Sequence, residues 1–163
     1  MSFSVNEKNT IKFIADHNLE KVARWLRFAG INCDYMNQKN DKLLKEIATE
    51  ENRIILTTTR KLKGQKQVLF LETQNPIEQL KKIFRKFPQI NLEKAFTRCS
   101  LCNAVLISAE VENVWEKIPP GVRELYEDYF LCPDCQRIYW PGSQYKLIRN
   151  RLDEIYHNKE REK

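Results

Sequence analysis

The sequence is poor in glycine and histidine and contains no long apolar run. Four glycines and two histidines among 163 residues argue against collagen-like and linker-rich proteins. No stretch approaches the roughly 18 apolar residues that span a bilayer. Residues 1–8 hold no apolar segment of the kind found in secretory signals. We therefore expect no membrane association and an intracellular, cytoplasmic protein.

The positive charge of the chain is concentrated in its first half. Residues 1–90 contain 17 Lys and Arg against 10 Asp and Glu, a net charge of +7. Residues 91–163 contain 11 against 12, a net charge of −1. A basic first half indicates an acidic partner such as nucleic acid, although positive charge also serves solubility.

Short β-like runs alternate with helical periodicity through the first 87 residues. This alternation predicts an α/β fold with a parallel sheet flanked by helices. Strands are predicted at 11–15, 31–36, 53–58 and 68–71. Helices are predicted after each of the first, second and fourth strands, with N-caps at Asn40 or Asp41 and at Asn75.

The helical period stops near residues 87–91, where we place a domain boundary. The prediction is an α/β domain over 1–90 and a second module over 91–163 that ends in a helix at 145–162. Four apolar residues of this helix are spaced to form its buried face: Leu147, Ile148, Leu152 and Ile155.

Four of the five cysteines form two C-x-x-C pairs, Cys99 with Cys102 and Cys132 with Cys135. In a chain without a secretory signal this spacing indicates a metal site rather than disulfides. Four thiolates form a closed tetrahedral set typical of structural Zn²⁺, so we predict a zinc ribbon with an insertion. The alternative is that the four cysteines pack as small residues in a hydrophobic core and bind no metal. Cys33 stands alone in a strand-like run and is predicted to serve packing.

Carboxylates cluster around the predicted ends of the first strands. In open α/β sheets ligands bind beyond the carboxyl ends of the strands, which makes Asp16 a candidate for metal-dependent phosphodiester chemistry. Each candidate also has a structural explanation as a helix cap, a dipole partner or an exposed strand residue. The candidates are Asp16, Glu20, Asp34 and Asp41.

Three segments together resemble the Mut-seven-C ribonuclease family, a PIN-like nuclease fold followed by a zinc ribbon. Residues 13–30 read FIADHNLEKVARWLRFAG and resemble the opening motif of the family. Residues 96–103, FTRCSLCN, and 130–143, FLCPDCQRIYWPGS, resemble its ribbon signature. The resemblance covers residues 11–148 in the family's order.

The resemblance implies an acidic site that binds Mg²⁺ or Mn²⁺ through Asp16 and Asp41. Family members usually carry an aspartate after the third strand, where this chain has Thr59. Glu20 stands where a glycine is usual, and Gln144 replaces a histidine. The acidic site is therefore expected to be partly degenerate, with Glu20 or Thr59 completing it if it is active.

Basic and aromatic residues near these motifs are candidates for RNA binding. A basic rim around an acidic centre attracts phosphates, and ribbon aromatics can stack on unpaired bases. The alternative for the basic loop is a solvated run of charges, and the alternative for the aromatics is a small core that covers the cysteines. The candidates are Arg24, Arg27, Arg60, Lys61, Lys63, Lys66 and Trp140.

Three hypotheses of different classes follow from these patterns. The first is a metal-dependent ribonuclease, and the second is a non-catalytic module that binds RNA or a ribonucleoprotein. The third is a protein-interaction adaptor that docks through the ribbon. The sequence carries no prediction of oligomeric state.

Overall fold

A four-stranded parallel sheet forms the centre of the first half of the chain. The computed structural model describes residues 10–161, so residues 1–9 and 162–163 at the ends of the predicted domains lie outside it. The strand order is β2-β1-β3-β4, which confirms the predicted α/β class. The strands are β1 (Lys12–Ala15), β2 (Asn32–Tyr35), β3 (Ile54–Thr57) and β4 (Val68–Phe70).

Three helices flank this sheet: α1 (Glu20–Phe28), α2 (Asp41–Glu50) and α3 (Pro76–Lys86). The predicted caps are present. The Asn40 side chain accepts a hydrogen bond from the Leu43 N–H at 3.0 Å, and the Asn75 side chain accepts one from the Ile77 N–H at 2.9 Å. These caps satisfy backbone donors that the first helical turn leaves without partners.

Alternate residues of the central strands pack on opposite faces of the sheet. Phe13 and Ala15 join the larger apolar core with α1 and α3, whereas Ile14 packs with Leu44 of α2 and with Ile55. Because successive strand residues point to opposite faces, the apolar run in β1 serves helices on both sides.

The second half contains a three-stranded antiparallel sheet in the order β5-β6-β7. Its strands are β5 (Ile107–Ala109), β6 (Tyr129–Leu131) and β7 (Ile138–Tyr139). Two short helices, α4 (Val111–Val114) and α5 (Pro120–Arg123), lie between β5 and β6. A small core of Val114, Ile118 and Tyr129 supports this insertion.

The last helix, α6 (Ser143–His157), packs against the core of the first half. Leu152 and Ile155 are buried there as predicted. The placement of Leu147 on the buried face was wrong, since this side chain is 69% exposed. Successive helical residues are rotated by about 100°, so Leu147 points to solvent although its neighbour Ile148 is half-buried. The helix begins two residues before its predicted start and ends at His157, so the predicted extension over 158–161 was wrong. Residue 162 lies outside the described residues, and the domain boundary after residue 90 stays a prediction.

Gly30 ends α1 at a close approach between two segments. Its φ is +80°, and a Cβ built there would lie 1.9 Å from the Lys94 carbonyl oxygen. Gly64 has a similar φ of +77° but nothing within 4 Å of a built Cβ. Substitutions at these two glycines therefore distinguish the cost of a left-handed backbone from the cost of steric overlap.

We expect Gly30→Ala to lower the free energy of unfolding by about 3 kcal/mol or more, because overpacking adds to left-handed strain. Gly64→Ala is the matched control and should cost only about 1–2 kcal/mol. Urea unfolding followed by circular dichroism measures both values. Equal losses in the two variants would show that the Lys94 segment moves away freely.

Candidate functional site

Asp16 lies at the carboxyl end of β1 and is only 4% exposed. Its carboxylate accepts three hydrogen bonds from neutral donors. The Asn18 N–H donates to Oδ1 at 3.0 Å, and the Thr57 hydroxyl donates to Oδ2 at 2.5 Å. The Thr59 hydroxyl donates to the same Oδ2 at 3.5 Å. The parallel pairing of β1 with β3 brings these threonines to Asp16.

Tyr35 ends β2, and the charges of two candidate carboxylates act on its hydroxyl. Its hydroxyl donates to the His17 carbonyl at 3.1 Å. Burial raises the pKa of Tyr35, and the charges of Glu20 and Asp16 raise it further. The hydroxyl therefore stays protonated at neutral pH and faces a negatively charged neighbourhood. Glu20, the first residue of α1, is exposed.

Asp41 begins α2 and forms an ion pair with Lys61 from the turn that follows β3. The Asp41 side chain is 22% exposed and the Lys61 side chain 66%. The ammonium group therefore already neutralises this carboxylate. A pair this exposed contributes little stability because solvent screens it.

The predicted acidic residues do not form a ready metal site. Within residues 10–161, the four paired cysteines are the one group of three or more Cys, His, Asp or Glu side chains close enough to bind one ion. Asp34 is engaged elsewhere. It forms an ion pair with Arg53 at 3.1 Å and accepts a hydrogen bond from the Asn103 amide at 2.9 Å. The oxygens present suit Mg²⁺, but they are not gathered to hold it.

The sulfurs of the four paired cysteines all lie within 4.8 Å of one another. Four sulfurs at about 2.3 Å from a tetrahedral zinc ion lie about 3.8 Å apart, and the Cys99–Cys135 sulfur distance is 3.8 Å. Burial raises the pKa of Cys102 to about 12, and the neighbouring Cys135 raises it as well. A cation is therefore needed to keep all four thiols ionised. This geometry suggests a structural zinc site.

Each cysteine pair sits in a tight turn. The Cys102 N–H donates to the Cys99 sulfur at 3.4 Å, and the Cys135 N–H donates to the Cys132 sulfur at 3.5 Å. The Tyr139 hydroxyl lies 3.1 Å from the Cys99 sulfur. We call residues 99–103 the first knuckle. The predicted packing role of Cys33 is confirmed, since it is fully buried and burial raises its pKa to about 12.

The first knuckle is docked on the edge strand β2 through two polar side chains. Arg27 donates hydrogen bonds to the Ser100 and Leu101 carbonyls at 3.1 and 3.0 Å. The Asn103 side-chain oxygen accepts a hydrogen bond from the Cys33 N–H at 3.1 Å. These bonds satisfy backbone groups that an edge strand and a tight turn leave without partners.

The structure separates the predicted RNA-binding residues into exposed and packed groups. Arg27 is 7% exposed and its donors are used within the chain, a placement that does not fit phosphate binding. Trp140 is half-buried and packs on Tyr129 at a centroid distance of 6.5 Å. The Lys63 ammonium lies over the Phe70 ring. Three of the predicted basic residues are exposed and form no ion pair with another residue of 10–161: Arg24, Arg60 and Lys66.

Thr57 and Tyr35 are site residues that the sequence reasoning missed. Thr57 is fully buried, which is unusual for a polar residue, and it donates to Asp16. The available signal was strand adjacency. If β3 lies beside β1, the residue that ends β3 faces the residue that follows β1.

None of the helices in the described part of the chain is long and apolar enough to cross a membrane.

One comparison with known proteins gives a result. The family model described as Mut7-C RNAse domain matches residues 11–152. The matched range includes the Asp16 edge of the sheet, both cysteine pairs and most of α6. Searches of curated proteins and of solved structures give no match.

Proposed function

Because the chain belongs to the Mut7-C RNAse domain family, we propose that it is an RNA-binding protein with a PIN-like nuclease fold and a partly degenerate acidic site. The observation that carries this proposal is the surroundings of Asp16. Two hydroxyl groups, from Thr57 and Thr59, bond to its carboxylate. Family members usually carry a carboxylate where this chain has Thr59, and here a neutral hydroxyl replaces it.

The acidic residues have the chemistry for a divalent cation but not the arrangement. Mg²⁺ or Mn²⁺ would be held by Asp16 and Asp41, with Glu20 or Thr59 completing the set. Such an ion supplies activation of water and neutralisation of the leaving oxygen. Because the carboxylates are not gathered around one point and three of the predicted basic residues are exposed, RNA binding is the activity we assign to this edge of the sheet.

An active ribonuclease is the second candidate, and the position of Glu20 favours it. Glu20 lies one turn beyond Asp16 in the chain, and both charges act on the Tyr35 hydroxyl. In this alternative, Glu20 replaces the carboxylate missing at position 59. The adaptor hypothesis has no observation of this kind in its favour.

The four paired cysteines bind one structural Zn²⁺ in this proposal. A closed set of four thiolates leaves no position for a catalytic water. The zinc therefore holds the ribbon together and takes no part in chemistry at the acidic edge.

The proposal predicts salt-dependent binding of single-stranded RNA. The double variant Arg60→Gln, Lys66→Gln should make the slope of log affinity against log salt less steep by about 1.4, since each phosphate contact on a single strand contributes about 0.7. Fluorescence anisotropy with a labelled oligouridylate, titrated at several salt concentrations, measures this slope.

The matched control is Lys117→Gln, Arg151→Gln, which removes the same charge from the second half of the chain. Its slope should equal that of the wild type. If the first double variant also keeps the wild-type slope and affinity, the loop after β3 is a solvated surface. No binding of RNA by the wild type at low salt would overturn the proposal itself.

A further inference from the structure

Four aromatic side chains form a continuous row across three segments of the chain. Trp25 and Phe28 of α1 have ring centroids 5.9 Å apart. Phe28 lies 6.1 Å from Phe96, and Phe96 lies 4.1 Å from Tyr145 of α6. All four side chains are half-buried, neither enclosed nor fully exposed. We call these four residues the aromatic row.

Most of the row does not serve the hydrophobic core. Trp25 packs against the larger core. Phe28, Phe96 and Tyr145 belong to none of the apolar clusters found in the described residues. The Phe96 ring lies against the other two, and part of the surface of each ring faces solvent. The outer part of each ring therefore remains accessible to a ligand.

The backbone under the row is held in a costly conformation. Phe96 has a φ of +64°, which is rare for a bulky side chain. Its N–H donates to the Phe28 carbonyl at 2.7 Å, which fixes the segment to the end of α1. The missing Cβ of Gly30 permits the same approach at Lys94. Strain of this kind persists where the surrounding structure holds it and concentrates at functional sites.

The charge around the row suits a polyanion. Three basic residues lie close in sequence to rings of the row: one directly before Trp25, one directly after Tyr145 and one two positions before Phe96. A fourth lies in the first turn of α1. All four are exposed and form no ion pair with another residue of 10–161: Lys21, Arg24, Lys94 and Lys146.

The helix α1 connects the row with the acidic edge of the sheet. α1 begins four residues after Asp16 and spans about 12 Å from Glu20 to Phe28 at about 1.5 Å per residue. A strand lying along α1 from the row therefore arrives at the carboxyl end of β1.

We propose that the aromatic row is a stacking platform for the unpaired bases of single-stranded RNA. The inference rests on the proposed function and adds the surface that holds the bases and the path of the strand along α1. Proteins that bind single strands combine stacked aromatic rings with a basic surface that follows the backbone. Stacking needs the flat face of a base, which a duplex does not offer.

The test replaces Tyr145 in the full chain. Tyr145→Leu keeps apolar volume but removes the ring, and should weaken binding of a labelled oligouridylate about tenfold or more. Tyr145→Phe keeps the ring and should bind like the wild type. Binding of a duplex RNA of equal length should be the same in all three proteins. The salt slope should not change, because no phosphate contact is lost.

Trp115→Leu is the matched control, since Trp115 is an exposed aromatic outside the row. It should leave affinity unchanged, and circular dichroism should show that each variant is folded. If the wild type binds RNA and Tyr145→Leu binds equally well, the stacking platform is overturned while the proposed function stands. If Tyr145→Phe loses as much affinity as Tyr145→Leu, the hydroxyl and not the ring is responsible, and the inference fails. If the wild type binds neither the oligouridylate nor the duplex RNA, the stacking platform and the proposed function are both overturned.

Discussion

Cys102→Ser is expected to abolish zinc binding and to unfold the antiparallel half of the protein. Structural zinc contributes apparent binding free energies of about 10–16 kcal/mol, most of which drives folding. Elemental analysis should give one zinc per chain for the wild type and none for the variant. Far-UV circular dichroism should show loss of the β5-β6-β7 sheet, because Cys132 and Cys135 lie in the turn between β6 and β7.

The unfolding should also reach one strand of the parallel sheet. Modular reasoning from the sequence predicts that residues 1–90 are spared. Arg27 and Asn103, however, tie the first knuckle to α1 and β2. Hydrogen exchange should therefore show loss of protection at Cys33 on the edge strand, while Leu56 in β3 stays protected. Cys33→Ala is the control, because this fifth cysteine is no ligand and the variant should keep one zinc per chain.

Two results would contradict this prediction. One is freshly purified protein without zinc, and the other is a second half that keeps its structure after treatment with a chelator. Full protection of β2 in folded but zinc-free Cys102→Ser would show that the docking bonds form without the metal.

Local signals predicted most of the first half of the fold correctly. Asn40 and Asn75 begin their helices because their side chains cap backbone N–H groups nearby in the chain. The cysteine spacing predicted the group of four thiols for a similar reason, since each pair forms one turn. Signals of this kind depend on a few neighbouring residues, so they can be read without knowledge of the tertiary structure.

The errors and omissions concern partners distant in the sequence. Arg27 looked like an exposed basic residue beside Trp25, but two of its three carbonyl partners lie more than seventy positions later. Thr57 looked like the end of a strand, and its role becomes visible only when β3 lies beside β1. A helix or strand period shows which residues face inward. It does not show which distant group each will meet.

Thr59→Asp is expected to create a divalent cation site at the edge of the sheet. The Thr59 hydroxyl lies 3.5 Å from Asp16 Oδ2, so a carboxylate at position 59 would stand beside a buried one. Two such charges repel and are stabilised by a cation between them. The variant should therefore be less stable than the wild type without metal. Its thermal midpoint should rise with Mn²⁺, by the equivalent of about 2.7 kcal/mol at a hundred times the dissociation constant.

The same substitution should raise divalent-dependent cleavage of unstructured RNA. A metal ligand that is missing from a phosphodiester-cleaving site costs transition-state stabilisation, and a hundredfold rate corresponds to about 2.7 kcal/mol. We therefore expect little or no cleavage by the wild type and about a hundredfold more by Thr59→Asp. The time course of cleavage of a labelled oligonucleotide in Mn²⁺ measures both rates.

Thr59→Asn is the matched control, since it has the shape of aspartate without the charge. It should show neither the Mn²⁺-dependent rise in thermal midpoint nor increased cleavage. If the wild type already cleaves RNA with Mn²⁺ and Glu20→Gln abolishes that activity, the degenerate-site hypothesis is wrong, because Glu20 then supplies the missing carboxylate. If Thr59→Asp neither binds Mn²⁺ nor cleaves while RNA affinity persists, a carboxylate at position 59 is not sufficient to make a cation site at this edge. RNA binding then remains the activity of this protein.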